Sequence, residues 1–236
     1  MLTCCLAVIK IIFMKNRIIL LILGLFLFES CIKRDENCDR ISSGSYEFIM
    51  PFTLTPAQET YHIGDTITIS STVNNPIYER KTGNSYMLDD FKFYLRSKIY
   101  YLDTLKNDYS NFYRFELLLD STHEMSVYTY STNSNSILGQ YTYQNNQYTY
   151  EFKLVAKEKG SYLFSQGSGI WSRGEDQYFE GKCTNTDIDA KFYMNNRADN
   201  NSYLLDEALN PNFKLYTKNL GPQYLDFGGY CFKVIE

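Results

Sequence analysis

The sequence predicts an all-β fold: an antiparallel β-sandwich interrupted by one short helix near the C-terminus. Three observations carry that expectation. Apolar and polar residues alternate with period two in several short segments, which puts successive side chains on opposite faces of a half-buried strand. Polar turns separate these segments at the spacing of a sandwich rather than of a βαβ repeat. All 22 tyrosines lie beyond residue 45, among many threonines, a mixture that packs well on a pleated surface.

In chain order a targeting segment comes first. Met14-Lys15-Asn16-Arg17 followed by the apolar run Ile18–Phe28 has the layout of a cleaved signal, and the run is short for a mature membrane span. The signal is complete from Met14, so residues 1–13 read as an upstream over-reading. An uncleaved anchor beginning further upstream is the alternative, though Lys10, Lys15, Asn16 and Arg17 interrupt it. Residues 1–30 are therefore assigned to the leader, 31–44 to a tether and 45–236 to one β-domain. Three of the 23 basic residues and one of the 27 acidic ones precede Cys31, which leaves a net charge of −6 beyond it. That acidic excess argues against a nucleic-acid partner, which calls for a basic stripe.

Beyond the tether, Thr66–Val73 is the clearest strand. Ile67, Ile69 and Val73 face one way and Thr66, Thr68, Ser70 and Thr72 the other, after a Gly64-Asp65 turn. Phe91, Phe93 and Leu95 alternate with Lys92, Tyr94 and Arg96 in a second, and Phe112–Leu119 is a more uniformly apolar third. In Gln140–Tyr150, Asn145-Asn146 suits a two-residue hairpin turn, because asparagine tolerates positive φ. That register sets Gln144 opposite Gln147, Tyr143 opposite Tyr148, Thr142 opposite Thr149 and Tyr141 opposite Tyr150. All four tyrosines then share one face.

Two roles are open to this tyrosine face. It packs on the domain, since Phe152 and Leu154 continue the row inward, or the hairpin end projects and offers Tyr143 and Tyr148 as a stacking platform for a ligand. Next, Lys157-Glu158-Lys159-Gly160 turns into the strand Ser161–Phe164. The helix lies between strands near Ala190–Met194 and Tyr230–Ile235. There Leu204, Leu205, Ala208 and Leu209 share a face, Asn201 or Ser202 can cap the start, and Pro211 stops it.

Cys4 and Cys5 fall in the leader. Of the later cysteines, Cys31 is reserved for lipid, and two of Cys38, Cys183 and Cys231 are expected to pair outside the cytoplasm. Cys183 and Cys231 border strands of the same C-terminal half whereas Cys38 lies in the tether. The expected bridge is Cys183–Cys231, although spacing alone does not fix connectivity.

Phe28-Glu29-Ser30-Cys31 resembles a bacterial lipobox, with Phe28 and Glu29 departing from the usual leucine and small residue. Loose boxes ending in Ser-Cys are typical of Bacteroidetes lipoproteins. Ile32-Lys33-Arg34-Asp35-Glu36 looks like the charged surface-export tag of some of them; a solvated tether is the alternative. Tyr61-x-x-Gly64-Asp65-Thr66-Ile67 resembles the opening of an immunoglobulin-like domain, and Lys159-Gly160-Ser161-Tyr162 resembles its tyrosine corner. Taken together, the chain resembles the Ig-like β-sandwich lipoproteins of unknown function found in Bacteroidetes, over roughly residues 45–165. The resemblance implies a lipid on Cys31, attachment to the outer membrane facing either the surface or the periplasm, and an immunoglobulin-like topology. It brings no catalytic residues with it.

Motifs that would carry chemistry are incomplete. His123-Glu124 begins like a zinc-protease helix, but Val127 stands where the second histidine is needed. Asp120, Ser121 and His123 are too close in sequence to stack as a triad. Gly181-Lys182 has Asp176 where a phosphate loop needs its first glycine, and Asp187, Asp189, Asp89 and Asp90 lack the remaining ligands of a calcium loop. The expectation is no enzyme, no cofactor and no metal. The aromatic load on an anchored domain points instead to a binding module for a glycan or other surface ligand. The alternative is an assembly subunit that contacts envelope proteins through strand edges. A coplanar pair of exposed aromatics amid polar groups favours the first, and a bare apolar edge strand the second.

Overall fold

The computed structural model describes residues 36–41, 44–105, 110, 112–131, 134–168 and 177–236. The leader and Cys31 lie outside these residues. The chain divides into two units, 1–40 and 41–236. A short helix, α1 (Glu36–Ile41), ends at a buried Ile41.

The second unit carries all the described strands. The first sheet runs β10 (Thr142–Gln144), β11 (Gln147–Ala156), β3 (Thr66–Asn74), β1 (Tyr46–Thr55), β13 (Ile188–Met194), and β7 (Phe115–Leu119) also pairs with β11. The second runs β2 (Thr60–His62), β14 (Tyr230–Ile235), β12 (Gly160–Ser168), β6 (Tyr94–Tyr101), β9 (Ser134–Gln140), β8 (Met125–Ser131). A small hairpin, β4 (Ile77–Tyr78) with β5 (Ser85–Tyr86), stands apart.

The all-antiparallel arrangement needs correction, because β1 pairs parallel with β13 and β14 parallel with β2. Parallel neighbours need a long connection, so these pairings join segments far apart in sequence and leave no turn signal to read. The architecture is two large mixed sheets.

Alternation behaves as the sequence dictates. In β3, Ile67, Ile69 and Val73 are buried, with Ser71 on the same face. That serine is buried because its Oγ has partners: it donates to the Pro51 carbonyl and meets the Tyr141 hydroxyl at 2.6 Å. The buried faces of the two sheets meet through aromatic rings. Phe152 of β11 lies 6.3 Å from Phe164 of β12, and Phe115 of β7 lies 4.9 Å from Tyr162 of β12, centroid to centroid. Such pairs add to the area they bury.

The C-terminal helix is shorter than its pattern suggests. α2 (Leu204–Glu207) buries Leu204 and Leu205, and Ala208 beyond it is buried while Leu209 is exposed. Neither expected cap serves: Asn201 Nδ2 donates to the Cys231 carbonyl, and Ser202 Oγ bonds Asp199. A second short helix, α3 (Lys214–Lys218), and a wide turn at Gly221–Leu225 follow before β14.

The expected Cys183–Cys231 bridge is not formed. Cys38 and Cys183 are the disulfide-bonded cysteines, and Cys231 is free and buried. Cys231 packs among Leu102, Leu163, Leu204, Leu205 and Tyr224. Cys183 sits before β13 with its Sγ 3.2 Å from the Tyr46 hydroxyl. Cys183 and Cys231 thus belong to different surroundings, and assigning Cys38 to a tether hid the true participant.

Candidate functional site

The hairpin forms as its residues require. Asn145 and Asn146 adopt φ of 51° and 60°, and the ladder pairs Gln144 with Gln147, Tyr143 with Tyr148 and Thr142 with Thr149. It stops there, so Tyr141 is not paired to Tyr150 in a ladder, although their rings lie 5.8 Å apart.

The platform on that hairpin is corrected. Tyr148 is 0% exposed. Its hydroxyl donates to the Leu88 carbonyl and accepts the Phe91 N–H at 2.7 Å. Tyr143 is half-buried, and its hydroxyl is held by Asp89 Oδ1 at 2.9 Å and Asn75 Nδ2 at 3.2 Å. The segment around Leu88–Phe91 covers this face, so a ligand has no access to the Tyr148 ring.

A different surface gathers the exposed aromatic and cationic groups. In β6, Leu95, Ser97 and Ile99 turn inward, so Tyr94, Arg96, Lys98 and Tyr100 turn outward. Arg96 is paired with Leu138 of β9, and Tyr128 of β8 with Ser136 of β9. Parity then places Ser134 and Ser136 on the same outer face as Arg96 and Lys98. The β8–β9 register is irregular between Thr129 and Ser131. Such a bulge re-aims side chains. Here the Tyr130 ring lies 4.6 Å from that of Tyr128 at 68°, and the Arg96 guanidinium lies over Tyr130 at 5.2 Å.

These residues line a groove of about 360 Å³, with Arg96, Lys98 and Tyr100 from β6, Tyr130 from β8, and Ser134 and Ser136 from β9. Burial holds the Lys98 amine below its ordinary pKa, and the neighbouring Arg96 charge pushes the same way. Tyr128 and Tyr130 remain 50% and 45% exposed. Sequence reading missed β8 and β9 as strands. The alternation Val127-Tyr128-Thr129-Tyr130 was the signal available, diluted by the serines and asparagines around it.

Asp120, Ser121 and His123 stay within one turn. His123 Nδ1 lies 3.1 Å from Thr122 Oγ1 and 3.5 Å from Asp120 Oδ2, a local turn contact. Among the described residues no group of three or more His, Cys, Asp or Glu is placed to hold a metal ion. Cys31 lies outside the described residues. Among those residues no helix is long and apolar enough to cross a membrane.

No known family model matches the chain, and no curated protein matches it either. Among solved structures, one described as "AvmM Catalyzes Macrocyclization in Alchivemycin A Biosynthesis" is similar at 12% identity and a TM-score of 0.27. The match covers 61% of this chain and 84% of that one. A likeness of that size carries no argument about fold or activity.

Proposed function

We propose that the chain is an exported, lipid-anchored envelope protein whose immunoglobulin-like domain is a binding module rather than an enzyme, with a glycan or other surface ligand as its target. One observation carries this reading: exposed Tyr128 and Tyr130 stand beside a groove rimmed by serines, Arg96 and Lys98. Aromatic faces hold the apolar side of a sugar ring while polar neighbours select its hydroxyls. The two rings are steeply inclined rather than coplanar, so a single ring, Tyr130, is the stacking wall. The Cys31 lipid would hold the domain at the outer membrane, and the tyrosine-corner bond from Tyr162 Oη to the Glu158 carbonyl, 2.8 Å, supports the immunoglobulin-like assignment.

A glycan array tests the proposal. Wild type should bind a defined set of saccharides, and Tyr130→Ala should lose them while keeping its melting temperature within a few degrees. Equal binding by both proteins would remove the groove from the account. A second reading, assembly through a strand edge, draws on β8, which ends the second sheet and is exposed from Ser126 to Ser131. Thr129→Pro on that edge would then abolish a partner contact while leaving saccharide binding intact.

A further inference from the structure

The groove is lined by cations that differ from several others among the described residues. Arg80, Arg114 and Arg197 each sit on a carboxylate, as do Lys191 and Lys233. Arg96 and Lys98 do not: no described residue forms an ion pair with either. Arg96 Nε is buried without a hydrogen-bond partner, and so is Ser136 Oγ, on a residue only 1% exposed. Buried polar groups are ordinarily satisfied, and these two atoms belong to residues that line the groove, so an acceptor there would complete them. Arginine and lysine donate only, and a serine hydroxyl can donate as well. The complementary ligand group is therefore an anion, and a carboxylate or sulfate matches the planar guanidinium in two bonds.

We infer that the groove takes an acidic saccharide, its carboxylate or sulfate held by Arg96, Lys98 and Ser136 and its ring laid against Tyr130. This rests on the reading of the groove as a saccharide site and adds the class of sugar. The volume lies at the lower end of the range for small-ligand sites, about 300–1,000 Å³, which suits a short segment of chain. A long nucleic-acid polyanion fits less well, because the rest of the protein is acidic and two cations make no stripe.

Calorimetric titration with matched pairs tests the inference. The probes are trigalacturonic acid against its methyl ester, a heparin tetrasaccharide against its desulfated form, and sodium sulfate alone. At least one acidic member should bind about tenfold or more tighter than its neutral counterpart. Lys98→Gln should reduce that ratio and Arg96→Gln with Lys98→Gln should abolish it. Thermal melting verifies that each variant is folded, and Lys98→Gln alone remains informative if the double variant is not. Equal binding of charged and neutral members would overturn the inference and leave the saccharide site standing. Sulfate binding as tightly as the saccharides would overturn it in favour of a simple anion site. No binding by any probe would overturn both.

Discussion

Glu79 is a buried carboxylate that accepts four hydrogen bonds: from the backbone N–H groups of Glu47, Lys81 and Thr82 and from the Thr82 hydroxyl. Burial alone would raise its pKa, but these donors outweigh it and hold the carboxyl below its ordinary value. A depressed carboxylate contributes stability that is complete above its unfolded pKa and fades as pH falls through the folded one. Glu79→Gln should therefore lower stability at pH 7 by about 2 kcal/mol, since a charged acceptor is lost and an amide faces N–H donors. The gap between variant and wild type in urea midpoint should narrow below pH 4.5. A gap independent of pH would refute this account of the turn. Cys231 shows the opposite balance, its thiol pushed up to about 12 by burial despite a bond from Tyr224. Iodoacetamide should label it only once denaturant is present, and peptide mapping should recover Cys38 and Cys183 oxidised. Rapid labelling of Cys231 in the native protein would contradict its burial.

At the scale of elements, the β10–β11 hairpin and the β8–β9 hairpin divide the roles that sequence reading had given to one of them. The first is a structural clasp: its turn is local, and Tyr148 is locked beneath the Leu88–Phe91 segment. Asn145→Ala should destabilise the domain by about 1–2 kcal/mol, because a Cβ without a local hydrogen-bonding group is strained at φ of 51°. Asn146→Gly should be close to neutral, since glycine adopts φ of 60° freely. Denaturation midpoints decide it, and an unaffected Asn145→Ala would mean that the turn does not set the register. The second hairpin carries the exposed rings. Its position at the sheet edge leaves both faces of β8 to solvent. An element with so little buried area contributes little to stability and is free to serve recognition.

At the scale of the whole molecule, the proposal joins an anchor to a binding face, and the anchor is testable separately. A fatty-acid analogue fed to the producing cells should label the wild type and leave Cys31→Ser unlabelled; equal labelling would remove the lipid. What the sequence determined was local. The period-two burial of β3, the Asn145-Asn146 turn with its register, and the Tyr162 tie to Glu158 each depend on residues a few positions apart, whose φ preferences and side-chain alternation act whatever surrounds them. Arg96 was legible as an outward residue of its strand, but not as part of a site. Only the tertiary structure set it beside Tyr130 and brought Lys98 into one groove with Ser136, because neighbouring strands about forty residues apart meet through long-range pairing that leaves no periodic trace. The same holds for the parallel pairs β1–β13 and β14–β2, which have no connecting turn to announce them. It holds again for Tyr148, whose aromatic face is equally suited to a ligand or a core. Which of the two it meets depends on a segment nearly sixty residues earlier, and that is a matter of which surfaces fold against each other.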